Sequence, residues 1–63
     1  MTFNLTQRRV EIHPALDEWM AGDRFGEIVG EVRRGRNRGA FKVRLDKSGR
    51  TVTLRDDDIY EFL

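Results

Sequence analysis

Ala40-Phe41-Lys42-Val43-Arg44-Leu45-Asp46-Lys47-Ser48-Gly49-Arg50-Thr51-Val52-Thr53-Leu54 decides the fold. Phe41, Val43 and Leu45 alternate with Lys42 and Arg44, the period of a strand whose side chains go to opposite faces. Asp46 to Gly49 makes a tight turn, with glycine where a positive φ is needed. Arg50 to Leu54 alternates again, with Val52 and Leu54 inward and Thr51 and Thr53 outward. This stretch is a β-hairpin with one apolar and one polar face.

Immediately upstream lies Arg33-Arg34-Gly35-Arg36-Asn37-Arg38-Gly39, four arginines and two glycines in seven residues. It follows a segment from Phe25 to Arg34 in which Ile28, Gly30 and Val32 share one face and Glu27, Val29 and Glu31 the other. The segment is a long strand ending in a basic hairpin loop. Gly26 and Gly30 interrupt it, and glycines inside strands mark bulges, bends or close backbone approach. A bent strand of this kind lets one strand serve two sheets of a small barrel.

Further upstream, Val10 and Ile12 alternate with Arg9 and Glu11 in a short half-buried strand, Arg8 to Ile12. His13-Pro14 stops it, because proline offers no N–H to the ladder. Leu16, Trp19 and Met20 fall at i, i+3, i+4, a single helical turn within Ala15–Met20. Trp19 is expected to cap the core with its indole N–H at the rim. Ala21 to Arg24 is a turn. Residues 1–7 show no clear period and are expected to be a flexible tail, although Phe3 and Leu5 alternate and would suit an edge strand. Downstream of the hairpin, Arg55 to Asp58 reads as a 3₁₀ turn capped by aspartates, and Ile59 to Leu63 as a last short strand. The expected core is Val10, Ile12, Leu16, Trp19, Ile28, Val32, Val43, Leu45, Val52, Leu54 and Ile59, with Phe25, Phe41 and Phe62 also placed inside.

Sixty-three residues form one small domain. A chain this short buries only about 60% of its unfolded surface, so its core is small. Without cysteine, neither a disulfide nor a thiolate zinc site can staple it. The charged share is 37% and the net charge only +1, so it is the distribution of charge that matters. Arg33 to Arg50 carries eight basic residues against one acid, a net of +7, whereas the last nine residues carry −3. Such a dipole steers anionic partners at low net charge. No apolar run approaches the roughly 20 residues that span a bilayer, and the first residues lack a hydrophobic signal core. The expectation is a soluble, cytoplasmic protein with no membrane partner.

Three runs carry a family resemblance: Trp19-Met20-Ala21-Gly22-Asp23-Arg24-Phe25-Gly26-Glu27-Ile28-Val29, Lys42-Val43-Arg44-Leu45-Asp46-Lys47-Ser48-Gly49-Arg50, and Leu54-Arg55-Asp56-Asp57-Asp58-Ile59. Between Val10 and Phe62 the chain resembles the SH3-like small β-barrels. These include Tudor-like and KOW-like domains, photosystem and thioredoxin-reductase accessory barrels, and short phage and plasmid proteins. The resemblance implies an all-β, five-stranded, partly open SH3-like barrel over residues 8–63, with a long bent second strand and a 3₁₀ turn before the last strand. It points to no single function, since this architecture hosts unrelated roles. The proline-binding SH3 opening and its second tryptophan are absent. One relative in architecture, a plasmid-encoded dihydrofolate reductase, uses Val-Gln-Ile-Tyr on its pore strand. Thr51-Val52-Thr53-Leu54 does not match it, so that activity is set aside.

The function expected is a non-enzymatic binding module for DNA or RNA. Arg33, Arg34, Arg36 and Arg38 present planar forks suited to phosphate oxygens, and Lys42 and Arg44 extend the patch along the outward face of the next strand. Asn37 is the one loop residue whose amide can pair bidentately with adenine. A solvated tip serving only solubility is the plainer alternative, but lysine and glutamate would serve that purpose, and the arginine density exceeds it. A second class is a protein-assembly subunit, meeting an acidic partner through the same loop or a strand edge. Weak self-association of the loop with the Asp56–Asp58 edge of another copy, screened by salt, belongs there too. Three consecutive carboxylates do not converge on one metal ion, so capping and solvation are the expected roles of Asp56, Asp57 and Asp58, and no cofactor is expected. His13, Asp17 and Glu18 have no nucleophile or second histidine beside them in sequence, and catalysis is not expected.

Overall fold

The computed structural model describes residues 8–63; the expectations for residues 1–7 lie outside it. Five strands form one antiparallel sheet: β1 Arg9–Ile12, β2 Phe25–Glu31, β3 Phe41–Leu45, β4 Thr51–Leu54 and β5 Ile59–Phe62. Their order in space is β4-β3-β2-β1-β5. One short helical turn, α1 Asp17–Met20, separates β1 from β2, and a 3₁₀ turn, Asp56–Asp58, leads into β5. Among the described residues the sheet is open, with β4 and β5 as its edges.

Register follows from the alternation. Phe41 pairs with Leu54 and Val43 with Val52, so the inward set of β3 faces the inward set of β4. Gly26 lies between Val10 and Leu45, on a buried row where a side chain does not fit. A Cβ added there would stand 2.7 Å from Val43 Cγ1 and 2.8 Å from the Arg44 carbonyl oxygen. The other strand glycine marks the bend: the β2–β3 register shifts between Ile28 and Gly30, so Gly30 pairs with outward-facing Lys42 and leaves the face of Ile28 that the alternation assigns to it. A second irregularity falls on β1–β5, after Glu11. Bulges bend a strand and raise its twist, so the sheet curls around its apolar face.

That face holds Val10, Ile12, Ile28, Val43, Leu45, Leu54 and Ile59, with Leu16, Trp19, Phe41 and Val52 packed against them. Each fully buried aliphatic side chain contributes about 1.5–3 kcal/mol relative to exposure. Three expectations are corrected. Phe25 is 40% exposed, because Gly26 and Ile28 hold the inward positions of β2 and the strand period sends Phe25 the other way. Phe62, 36% exposed, lies on an edge strand and meets Phe41 edge-on at 5.9 Å, with the Arg8 guanidinium 5.1 Å over its ring. Val32 is half-buried and outside the cluster, because β2 ends at Glu31 rather than at Arg34.

Trp19 differs too. Its indole Nε1 is buried and finds no acceptor among the described residues, while the Arg24 guanidinium covers its ring at 4.1 Å. The apolar body of the ring closes one end of the core, and the cation lies against its π face. No helix among the described residues is long and apolar enough to cross a membrane.

Candidate nucleic-acid interface

The basic loop starts from a two-residue neck. The Val32 N–H donates to the Ala40 carbonyl at 2.9 Å and the Gly39 N–H to the Val32 carbonyl at 2.8 Å. Two turns then fold the tip: Arg38 N–H to Gly35 C=O at 3.2 Å and Ala40 N–H to Asn37 C=O at 2.9 Å. Gly35 and Gly39 have φ of 84° and 89°, and a Cβ at either would meet nothing within 4 Å, so conformation and not space demands glycine there. Arg33, Arg34, Arg36 and Arg38 are all exposed. None of the four has an ion pair among the described residues.

The latch on this loop is Arg55, a residue to which the sequence pattern assigns no role in the site. Its Nη2 donates to the Arg36 carbonyl at 2.8 Å and to Asn37 Oδ1 at 3.3 Å. Its own N–H donates to Asp58 Oδ2 at 3.2 Å, and its carbonyl accepts from the Asp58 N–H at 2.8 Å. Asp58 thus caps the 3₁₀ turn as expected, and Arg55 ties that turn to the loop. A signal for this was present. In a hairpin where Leu45 meets Arg50 across the turn, counting back in register sets Ala40 beside Arg55.

The expected site residues do not all share one situation. Lys42 is exposed between Gly30 and Thr53 on the outer face, without an ion pair among the described residues. Arg44 occupies the next outward position but pairs with Glu27, Nη2 to Oε1 at 3.4 Å. The same row continues to Arg9, so acids partly neutralise this part of the patch. Asn37 has its amide oxygen committed to Arg55, which removes the acceptor half of a bidentate adenine contact.

Between loop and acidic turn lies a cleft of about 370 Å³ lined by Arg38, Gly39, Ala40, Arg55, Asp56 and Asp57. Aspartates 56 and 57 are exposed and make no side-chain hydrogen bond or ion pair among the described residues. Arg38 of the basic loop and two residues of its charge complement therefore line one opening.

A second anchored turn lies at the opposite end of β3. Asp23, only 5% exposed, accepts from the Lys47 N–H at 2.8 Å and the Ser48 N–H at 3.1 Å. Burial acts to raise its pKa. Hydrogen bonds from the Ser48 side chain and from these two N–H groups outweigh burial and hold the carboxyl below its ordinary value. Nearby, Arg9 donates to both Asp46 carboxylate oxygens from its two terminal guanidinium nitrogens, Nη1 and Nη2. That bond lowers the Asp46 pKa and raises that of Arg9. No family model, curated protein or solved structure matches the chain.

Proposed function

We propose that this chain is a non-enzymatic SH3-like barrel module that binds nucleic acid by its phosphate backbone. The barrel reading is supported by the strand order, the bulge that bends β2 and the 3₁₀ turn before β5. The observation that carries the functional reading is the loop itself: four exposed arginines without acidic partners among the described residues, on a backbone pinned by its own turns and by Arg55. Preorganised arginines lose less freedom on meeting phosphate than a flexible basic tail would. Lys42 adds a fifth cation, and Arg44 contributes only as Glu27 releases it.

The test is the affinity for a short DNA duplex and a short RNA as a function of salt. Five phosphate contacts give a slope of log K against log salt of about −4.5, at about −0.9 per contact on a duplex. Replacing Arg33, Arg34, Arg36 and Arg38 by alanine leaves folding unchanged and brings the slope to about −1. Equal binding by parent and variant sinks the proposal. A second reading, an assembly subunit that docks a protein, is favoured by the edge strand β5, which exposes Tyr60 (61%) and Phe62. In a titration of ¹⁵N-labelled protein with the duplex and then the RNA, shifts confined to residues 33–44 and reversed by salt support nucleic acid. Their absence at low salt leaves the protein-docking reading.

A further inference from the structure

We infer that the cleft between the basic loop and the 3₁₀ turn is a seat for an unpaired guanine base. The inference rests on the nucleic-acid reading above and deepens it from backbone binding to base recognition. The cleft has an unusual combination of walls. Its lining brings Arg38 and Arg55 together with Asp56 and Asp57. Among the described residues neither carboxylate is bonded to either guanidinium, so both kinds of charge stay available to a ligand.

A ligand that fits must offer acceptors to the arginines and donors to the aspartates. A bare phosphate satisfies the arginines and is repelled by the aspartates. A simple cation does the reverse. Guanine does both with two parallel bonds on each side: O6 and N7 accept from a guanidinium fork, the commonest specific base contact, while N1–H and the N2 amino group donate to a carboxylate. Adenine and cytosine each offer a carboxylate a single amino group. Arg55 uses Nη2 for the loop, which leaves its remaining guanidinium hydrogens and the whole Arg38 fork for the base. The volume, about 370 Å³, lies at the small end of ligand pockets, which run from about 300 to 1,000 Å³. In a duplex, cytosine covers the N1 and N2 donors, so the seat selects an unpaired strand. Single strands are read in this way, with bases splayed out against arginine planes and bonded on their pairing edges. The loop arginines beside the cleft hold the flanking phosphates.

The test compares full-length protein binding to labelled oligonucleotides by fluorescence anisotropy at fixed salt. The probes are an eleven-uridine strand, the same strand with one central guanosine, the same with inosine, and the guanosine strand annealed to its complement. Inosine lacks only the N2 amino group. The guanosine strand is expected to bind about tenfold tighter than the all-uridine strand, and inosine to lose most of that gain. Annealing removes the preference for guanine. Asp56→Asn and Asp57→Asn, both at exposed positions, are expected to reduce the guanine preference while the salt-dependent binding of the all-uridine strand persists or strengthens. Equal affinity of the parent protein for the uridine, inosine and guanosine strands overturns the guanine seat and leaves backbone binding standing. If none of the strands, single or annealed, binds at low salt, the nucleic-acid reading itself fails. The inosine arm needs no variant, so a folding defect in either substitution does not shield the inference.

Discussion

Strand β3 is entered and left through two loops of opposite character. At its end, Asp46–Gly49 is fastened by Asp23, a buried carboxylate that accepts from two backbone N–H groups. At its start, Arg33–Gly39 is fastened by Arg55, an exposed guanidinium that donates to a carbonyl and an amide oxygen. A buried anchor is costly to lose, since its hydrogen-bond partners and its own charge have no ready access to water. An exposed anchor is replaced by solvent at small cost. The first arrangement supports the fold. The second orients a loop while leaving its charged side chains available to a ligand.

The contrast breaks most severely at Asp23. Asp23→Ala leaves the Lys47 and Ser48 N–H groups unpaired and is expected to destabilise by about 2 kcal/mol. In a domain this small that lowers Tm by roughly 10 °C. Calorimetry measures it, and the arginine loop is expected to keep its chemical shifts. An unchanged Tm would mean that the buried anchor is no anchor.

Acid provides the next effect. Because the Asp23 and Asp46 pKa values are lowered in the folded protein, their contribution is complete above the unfolded value of about 3.9 and is lost as pH falls through the folded value. Urea midpoints are expected to hold from about pH 7 to 5 and to drop below about pH 4. In Asp23→Ala that acid drop is smaller. A midpoint that rises on acidification contradicts the assignment.

Arg55→Ala comes third, at about 1 kcal/mol or less in stability. Its clearer readout is local. Amide exchange is expected to quicken at residues 33–39, while exchange at 46–49 stays as it was. If both loops loosen together, the two anchors are not independent. The smallest effect is Asp46→Asn. It removes an exposed ion pair with Arg9, whose side chains are each nearly half accessible, and is expected to cost under about 1 kcal/mol, less in high salt.

Legibility in the sequence divides along similar lines. The strands β1, β3, β4 and β5, the one-turn helix and the 3₁₀ turn lie where alternation and turn residues put them, because a period of two is a local property of the chain. Both strand glycines marked what such glycines mark, a close approach at Gly26 and a bulge beside Gly30. Seven of the eleven expected core residues are buried, and three more pack against them. The placement of Phe25 was legible as well: it shares parity with Glu27, and strand phase outranks the size of a side chain in deciding which face it takes.

The four loop arginines were visible as a candidate site because charge density is a property of composition, and their exposure follows from being in a loop. What the chain determined by itself is therefore the alternation, the turns, the glycine positions and the basic tip, each set by residues close together in sequence. Tertiary structure decided which aspartate is buried, which arginine latches the loop, which arginine an acid neutralises, and that Arg38 and the acidic turn line one cleft. Asp23 meets its partners 24 and 25 residues away and Arg55 meets the loop 18 and 19 residues away. Such contacts form only once neighbouring strands have paired in register, and the alternation within a single strand does not encode them.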